Sequence, residues 1–383
     1  MACTYRNNYS ESEEFFELAM HNLFVIQVPI HSFGAYIIIM KTPNEMGKMK
    51  FPMLFMHLTF VTYDVWAMLV LPIIVFPICG GNSIGVLSSV GMPIWIQGYI
   101  GFTLLFLHLL KFPLSVSGPA VTMFFENRYN YLVRLDCDTK SRKFKRAVHY
   151  FINYFIALIA FVPAFLNMPD ESVARQIALQ KLPCLSLKIV NHPTFFMVGN
   201  EFLNFFCIGL FAVFSWTQTF FFFSKTVNFI FGIKSQSQRT TQLQREFFRA
   251  VCIQVALPFV VIMTPGCFIL STIYTNNYDM AYTNFSVIMI SSHGLFSAIT
   301  MMFIHKPYRT ETLKVLGFKR FYKSNKLAVV RMSPLSLHVL GAYIIITMTP
   351  KEMGSGEAYY VAGIFNDSRV WVINCMKINK NSC

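Results

Sequence analysis

Seven long apolar stretches, parted by short polar gaps, organise the chain: roughly 18–40, 53–78, 94–125, 148–168, 195–223, 250–274 and 283–304. A helix that crosses the hydrocarbon core of a bilayer needs about 20 apolar residues, and each stretch is long enough to supply one. The pattern predicts an all-α fold, a bundle of seven transmembrane helices. Pro113, Gly118 and Pro119 interrupt the third stretch, and Pro258 and Pro265 fall inside the sixth. A proline removes a backbone donor and kinks or ends a helix, so one half of the sixth helix is expected to swing against the other.

The gaps differ in charge. Those after the first, third and fifth stretches, together with the tail to Arg331, carry 23 of the 32 Lys and Arg, whereas the opposite side has only Arg6, Arg175, Lys181 and Lys188. Basic loops are retained on the cytoplasmic side. Seven spans with a basic tail therefore place the N-terminus outside and the C-terminus in the cytoplasm. Four regions follow: an outer tail over 1–17, the seven-span domain over 18–304, a basic tail over 305–331 whose residues 310–316 form a short amphipathic helix along the membrane, and an extension over 332–383.

Composition agrees. The chain is 55% hydrophobic and 13% charged, against about 25% charged for a soluble domain, and its 41 Phe are far too many for a soluble surface. The net charge of +14 does not point to nucleic acid. The basic residues lie on loops that share one side of the membrane, where they fix orientation and meet anionic lipid headgroups. Glu11, Glu13 and Glu14 stand where a cleavable signal would be positive, so the first span reads as a signal anchor. Asn8-Tyr9-Ser10 is a glycosylation sequon in the outer tail, with Asn8 the candidate acceptor. Asn284-Phe285-Ser286 also matches but sits at the mouth of the seventh span. Cys79 and Cys184 both fall in outer loops, where a disulfide between them is permitted; two free thiols are the alternative.

Charged residues inside lipid cost a few kcal/mol each on insertion scales and mark functional candidates. Asp64 lies mid-way along the second span, Lys111 mid-way along the third and Glu201 at the outer end of the fifth. Asp64 faces either a polar interior that holds water or a cation, or a neighbouring helix through a hydrogen bond. Glu201 is the one candidate ligand contact, with an interfacial carboxylate as its alternative. The third span ends at Glu126-Asn127-Arg128-Tyr129, directly before a basic loop. An acid two residues before an arginine at such a helix end suggests an ion pair that opens on activation and frees Arg128 for a partner. Catalytic signatures are missing: the sequence has no Cys-x-x-Cys, phosphate-cradling glycine loop, His-Glu-x-x-His or nucleophile elbow. His57, His108 and His293 are far apart and need no metal. The expectation is a protein that is not an enzyme and carries no cofactor or metal.

Short motifs recur in a specific order. They are Lys41-Thr42-Pro43-Asn44-Glu45-Met46, Phe76-Pro77, Ile96-Gln97-Gly98-Tyr99, Phe125-Glu126-Asn127-Arg128-Tyr129, Leu166-Asn167-Met168-Pro169-Asp170, Lys181-Leu182-Pro183-Cys184-Leu185, Thr241-Gln242-Leu243-Gln244 and His305-Lys306-Pro307-Tyr308-Arg309. With that order and spacing, residues 25–320 resemble the serpentine receptor class H family of nematode chemoreceptors. The resemblance implies a G-protein-coupled receptor for an odorant or pheromone. It implies signalling through a heterotrimeric G protein at the plasma membrane of a sensory cilium. It supplies no ligand.

Two features depart from that family. Its Glu-Asn-Arg motif comes roughly ten residues sooner after the Ile-Gln pair, which marks Phe106–Ser115 as inserted. And residues 31–47 recur at 338–354 with 12 of 17 positions identical. The apolar part of the second copy is too short for an eighth span. It reads as a fragment of a tandemly duplicated receptor joined to this chain. A channel or transporter is the alternative class, and both departures suggest a non-functional receptor relic as a third.

Overall fold

A computed structural model describes residues 3–4, 8–78, 80–109, 119–134, 136–183, 195–196, 201–232, 238–275 and 277–317. The chain divides into two compact units, Met1–Lys319 and Arg320–Cys383. The extension 332–383, with its second copy of the repeat, lies outside the described residues.

The first helix, α1 (Glu13–Lys41), opens on Ser12, whose hydroxyl accepts the Phe15 N–H at 3.0 Å. That satisfies one of the orphan donors of the first turn. Glu13 and Glu14 at its start and Lys41 at its end suit the helix dipole. The second helix, α2 (Gly47–Val70), stops eight residues short of the apolar stretch that predicted it. Pro72 disfavours a helical Leu71, and Leu71 instead caps the helix in the left-handed region, φ 46°. With Cys3–Thr4 as the short strand β1, the β-branched Ile73, Ile74 and Val75 pair as β2 (Pro72–Val75) with β3 (Gly80–Ser83), an antiparallel hairpin. Gly81 has to be glycine there, because a Cβ would fall on the Ile73 carbonyl oxygen.

After the short helix α3 (Val86–Ser89), the third span is described as α4 (Ile94–Leu109) and α5 (Pro119–Val133). Lys111 and most of the apparent insertion lie between them, outside the described residues. The fourth span is α6 (Lys140–Ile159) and α7 (Val162–Leu166). A helix the apolar pattern did not predict, α8 (Glu171–Lys181), buries Ala174 and Ala178, four residues apart on one face. The remaining helices are α9 (Glu201–Gly232), α10 (Gln238–Thr275), α11 (Met280–Ile304) and α12 (Lys306–Val315). The 38 residues of α10 span about 57 Å at 1.5 Å per residue, well beyond a hydrocarbon core of about 30 Å. Pro258 and Pro265 both lie within this one helix.

Among the described residues, four helices are long and apolar enough to cross a membrane: Glu13–Lys41, Met49–Val70, Lys140–Leu166 and Met280–Ile304. Two thirds of the apolar stretch of α11 (67%) is buried, against 22% for the fourth span, so α11 is the central post and α6 a peripheral one. Two large buried clusters lie among the described residues. One, toward the N-terminal face, joins Phe16, Met20, Tyr63, Ile73, Val75, Ile78, Leu182 and Tyr278. The other, toward the basic face, is rich in methionine: Met49, Met53, Met56, Met301 and Met302 pack with Phe124, Phe125, Phe248 and Tyr308. Methionine is flexible and fills irregular gaps, so this end can repack more readily than one built on branched side chains.

Candidate functional site

The motif Glu126-Asn127-Arg128-Tyr129 occupies the end of α5, and its members fan out to different neighbours. The buried Glu126 carboxylate accepts from Arg142 Nη2 at 3.0 Å and from Arg146 Nε at 2.9 Å, both on α6, and from the Tyr150 hydroxyl. Asn127 donates to Met49 Sδ of α2 at 3.2 Å and accepts from Arg146 Nη2 at 2.7 Å. Tyr129 packs its ring on Phe221 and Phe222 of α9. Buried Asn130 accepts from Arg142 Nε at 2.8 Å. The expected pair within the motif is therefore corrected: the partners of Glu126 come from the fourth span. Residues i and i+2 lie about 200° apart around a helix and do not face each other, so Arg128 is turned away from Glu126.

The two arginines were read from sequence as loop charge. They are helical because α6 starts eight residues before its apolar stretch, with Thr139 as cap: its hydroxyl accepts the Arg142 N–H at 3.3 Å. From there Arg142, Arg146, Tyr150, Asn153 and Ala157 recur at helical spacing on the face turned to α5 and α9, and Asn153 donates to Gln218 at 3.1 Å. Phe144, Phe151 and Phe155 stand exposed on the opposite face. In the loop between α5 and α6, the Arg134 guanidinium bonds Asp136 twice at 2.9 Å and holds that carboxyl below its usual range.

On the same face α12 docks against the end of α1. The fully buried Tyr308 shares a hydrogen bond with Thr42 at 2.8 Å, and Glu311 lies 3.4 Å from Lys41. Two of the short motifs, 266 residues apart in the chain at Thr42 and Tyr308, thus meet in space. Lys314, hydrogen-bonded to Glu311 at 2.6 Å, and secondarily Lys41 hold the Glu311 carboxyl low. Deeper in the bundle, Asp64 Oδ2 of α2 meets His31 Nε2 of α1 at 2.8 Å, with both side chains buried. The Asp64 carboxylate fills the space above Gly294 of α11, where a Cβ would lie 3.0 Å from Cγ and closer still to Oδ2. His57 bonds the His31 carbonyl at 2.9 Å, and Gln27 donates to the Ser291 carbonyl at 2.7 Å. One buried polar seam thus joins α1, α2 and α11.

A family model described as serpentine type 7TM GPCR chemoreceptor Srh matches residues 11–318. The chain is a member of the Srh chemoreceptor family. Serpentine receptor class H-72 of Caenorhabditis elegans is 24% identical over 320 residues, covering 80% of this chain and 85% of that protein. The Srh family is one of receptors rather than enzymes, and its members are multi-pass membrane proteins. Four of the membrane passes of this Srh receptor are the long apolar helices α1, α2, α6 with α7, and α11.

Of the other sequence candidates in this Srh receptor, Asn8 and Asn284 fall wholly within the described residues. Glu201 is the first residue of α9, and its side chain lies outside the described residues, as do Cys79 and Cys184. Asn8 is exposed. Asn284 is buried and its amide donates to the Ser10 carbonyl at 3.0 Å, so the second sequon has no free acceptor in the folded receptor.

Proposed function

We propose that this receptor binds a small odorant or pheromone among its helices and passes the signal to a heterotrimeric G protein at the basic face. The observation that carries the reading is the fan of the Glu126–Tyr129 tetrad. One turn of α5 touches α2, α6 and α9, so a small rotation of α5 changes contacts with several helices at once. The methionine-rich packing beside it suits such repacking. Ligand binding shifts the bundle between two such states in proportion to its differential affinity for them. The basic loops support a cytoplasmic position for this face and an outer N-terminus, and in this reading the receptor sits in the plasma membrane of a sensory cilium. The receptor domain then occupies 18–304 and the docked tail 305–331, while 332–383 is the fragment of a duplicated neighbour.

In cells expressing the receptor with a G-protein heterotrimer, a library of small organic odorants should contain compounds that evoke nucleotide exchange. Arg128→Ala, at equal surface level, should lower that response about tenfold, a loss of roughly 1.4 kcal/mol of coupling. A ligand-gated current in cells lacking G proteins would instead identify a channel. For orientation, peptide-N-glycosidase should shift the mobility of the wild type but not of Asn8→Gln; a wild-type receptor that carries no glycan at Asn8 removes that support for an outer N-terminus.

A further inference from the structure

We infer that Glu126, Arg142, Arg146 and Tyr150 form the clamp that holds this receptor in its resting state, tying the third span to the fourth. The inference rests on the reading of the basic face as the coupling face. Within the motif itself Glu126 has no arginine in reach, since Arg128 is turned away from it on the helix. Its charge is matched instead by two guanidinium groups one turn apart on α6, at 3.0 and 2.9 Å, with the Tyr150 hydroxyl on the same carboxylate. Arg146 is held on three sides. Its Nε donates to Glu126, and its Nη2 donates to Asn127 Oδ1 and to the Tyr150 oxygen, both at 2.7 Å. Its guanidinium also lies 5.6 Å from the Tyr131 ring and 5.5 Å from the Tyr150 ring. The side chains are 2% exposed for Glu126 and 12% for Arg146, so water screens the pair little.

Other described contacts of α5 near this point are apolar or neutral. Phe125 meets Phe223 and Phe248, and Thr122 meets Thr219 at 2.6 Å. Among the described contacts, those on Glu126 are the charged link of α5 to a neighbour, and that neighbour is the least enclosed of the four membrane-length helices. Arg142, Arg146 and Tyr150 are positioning residues: they hold Glu126, and through it they fix the rotation of α5 that sets where Arg128 points. Opening the clamp lets α5 rotate and α6 move outward into lipid, with no need to repack the central post α11.

The test needs no ligand. Basal GTPγS binding by purified heterotrimers is measured on membranes holding equal amounts of wild type, Glu126→Gln, Arg146→Gln and the charge swap Glu126→Arg with Arg146→Glu. Both single variants should raise basal exchange about three- to tenfold by shifting the resting population. The swap should return it toward wild type, and Arg146→Lys should fall between. Lys143→Gln, on the exposed face of the same helix, should leave it unchanged. Single variants that reach the membrane with wild-type or lower basal exchange, or a swap no quieter than the singles, overturn the clamp. If neither wild type nor any variant drives exchange, the coupling reading fails, and thermal unfolding of the solubilised receptor decides the clamp alone. Non-additive losses of Tm in Glu126→Gln with Arg146→Gln keep it, and additive losses remove it.

Discussion

Asp64→Ala is expected to lower the unfolding temperature of the receptor by on the order of 10 °C and to hold most of it back from the cell surface. Removing one partner of a buried hydrogen bond leaves the other unsatisfied and costs about 1–3 kcal/mol, and the lost side chain leaves a cavity that adds to this. Here the survivor is His31, which meets Asp64 at 2.8 Å and whose backbone carbonyl already bonds His57. Asp64→Asn keeps the size and a hydrogen bond to His31, so it should lose far less. Gly294 supplies an internal check. Gly294→Ala alone sets a methyl group against the Asp64 carboxylate, an overpacking that costs about 1–3 kcal/mol. Combined with Asp64→Ala the obstruction is gone, so the double variant should be more stable than the sum of its parts predicts. The measurement is thermal unfolding of all four proteins in the same detergent, with surface biotinylation beside it. Additive losses, or an Asp64→Ala receptor as stable as wild type, would show that the seam does not join the three helices as described.

Much of this bundle is legible in the chain. Each apolar stretch overlaps a helix or a pair of helices, as expected where lipid leaves the backbone only itself to hydrogen-bond with. The misplaced ends have local causes. Hydropathy is blind to Leu71-Pro72, where the helix stops while the residues stay apolar, so the hairpin of β2 and β3 was counted as span. The opposite error occurred at Arg142 and Arg146: their charge made them read as loop, though they lie on the first turns of α6. The spacing 142, 146, 150, 153 and 157 holds a polar face at helical period, and reading that period past the hydropathy boundary would have found it. The tetrad itself was found, but not the partner of Glu126, because sequence adjacency stood in for contact between residues that face apart. A hydrogen bond from Asp64 to a neighbouring helix is one of its two sequence readings, but neither His31 as the partner nor the meeting of Thr42 with Tyr308 leaves a local trace. Both contacts join segments far apart in the chain, and a single sequence holds no signal for them beyond a lone polar residue in an apolar run.

The largest effect outside the transmembrane seam should fall on Tyr308. Its ring is fully buried among the methionines of the basic-face cluster, and its hydroxyl reaches Thr42 at 2.8 Å. Tyr308→Ala leaves a cavity the size of an aromatic ring, for which about 3–5 kcal/mol is usual. Tyr308→Phe removes the hydrogen bond to Thr42, worth about 1 kcal/mol, and a long contact with Met53 Sδ at 3.9 Å. The neighbouring ion pair cannot make up the difference: Lys41 and Glu311 are 36% and 25% exposed and 3.4 Å apart, and such surface pairs contribute about 0–1 kcal/mol. If the ring is the anchor of α12, Tyr308→Ala should free that helix while the membrane passes stay folded. Limited trypsin digestion should then cut at Arg309 and Lys314 several times faster than in wild type, whereas Tyr308→Phe and Glu311→Gln should be cut nearly as slowly as wild type. Equal digestion rates for Tyr308→Ala and wild type would mean that α12 is held from elsewhere. The split between ring and hydroxyl also bears on signalling. The ring touches the same cluster as Phe125 and Met49, next to the clamp on α5, so losing it should also loosen the packing that lets the Glu126 contacts set the resting state. Basal GTPγS binding by Tyr308→Ala should therefore rise together with its trypsin sensitivity, and Tyr308→Phe should change neither.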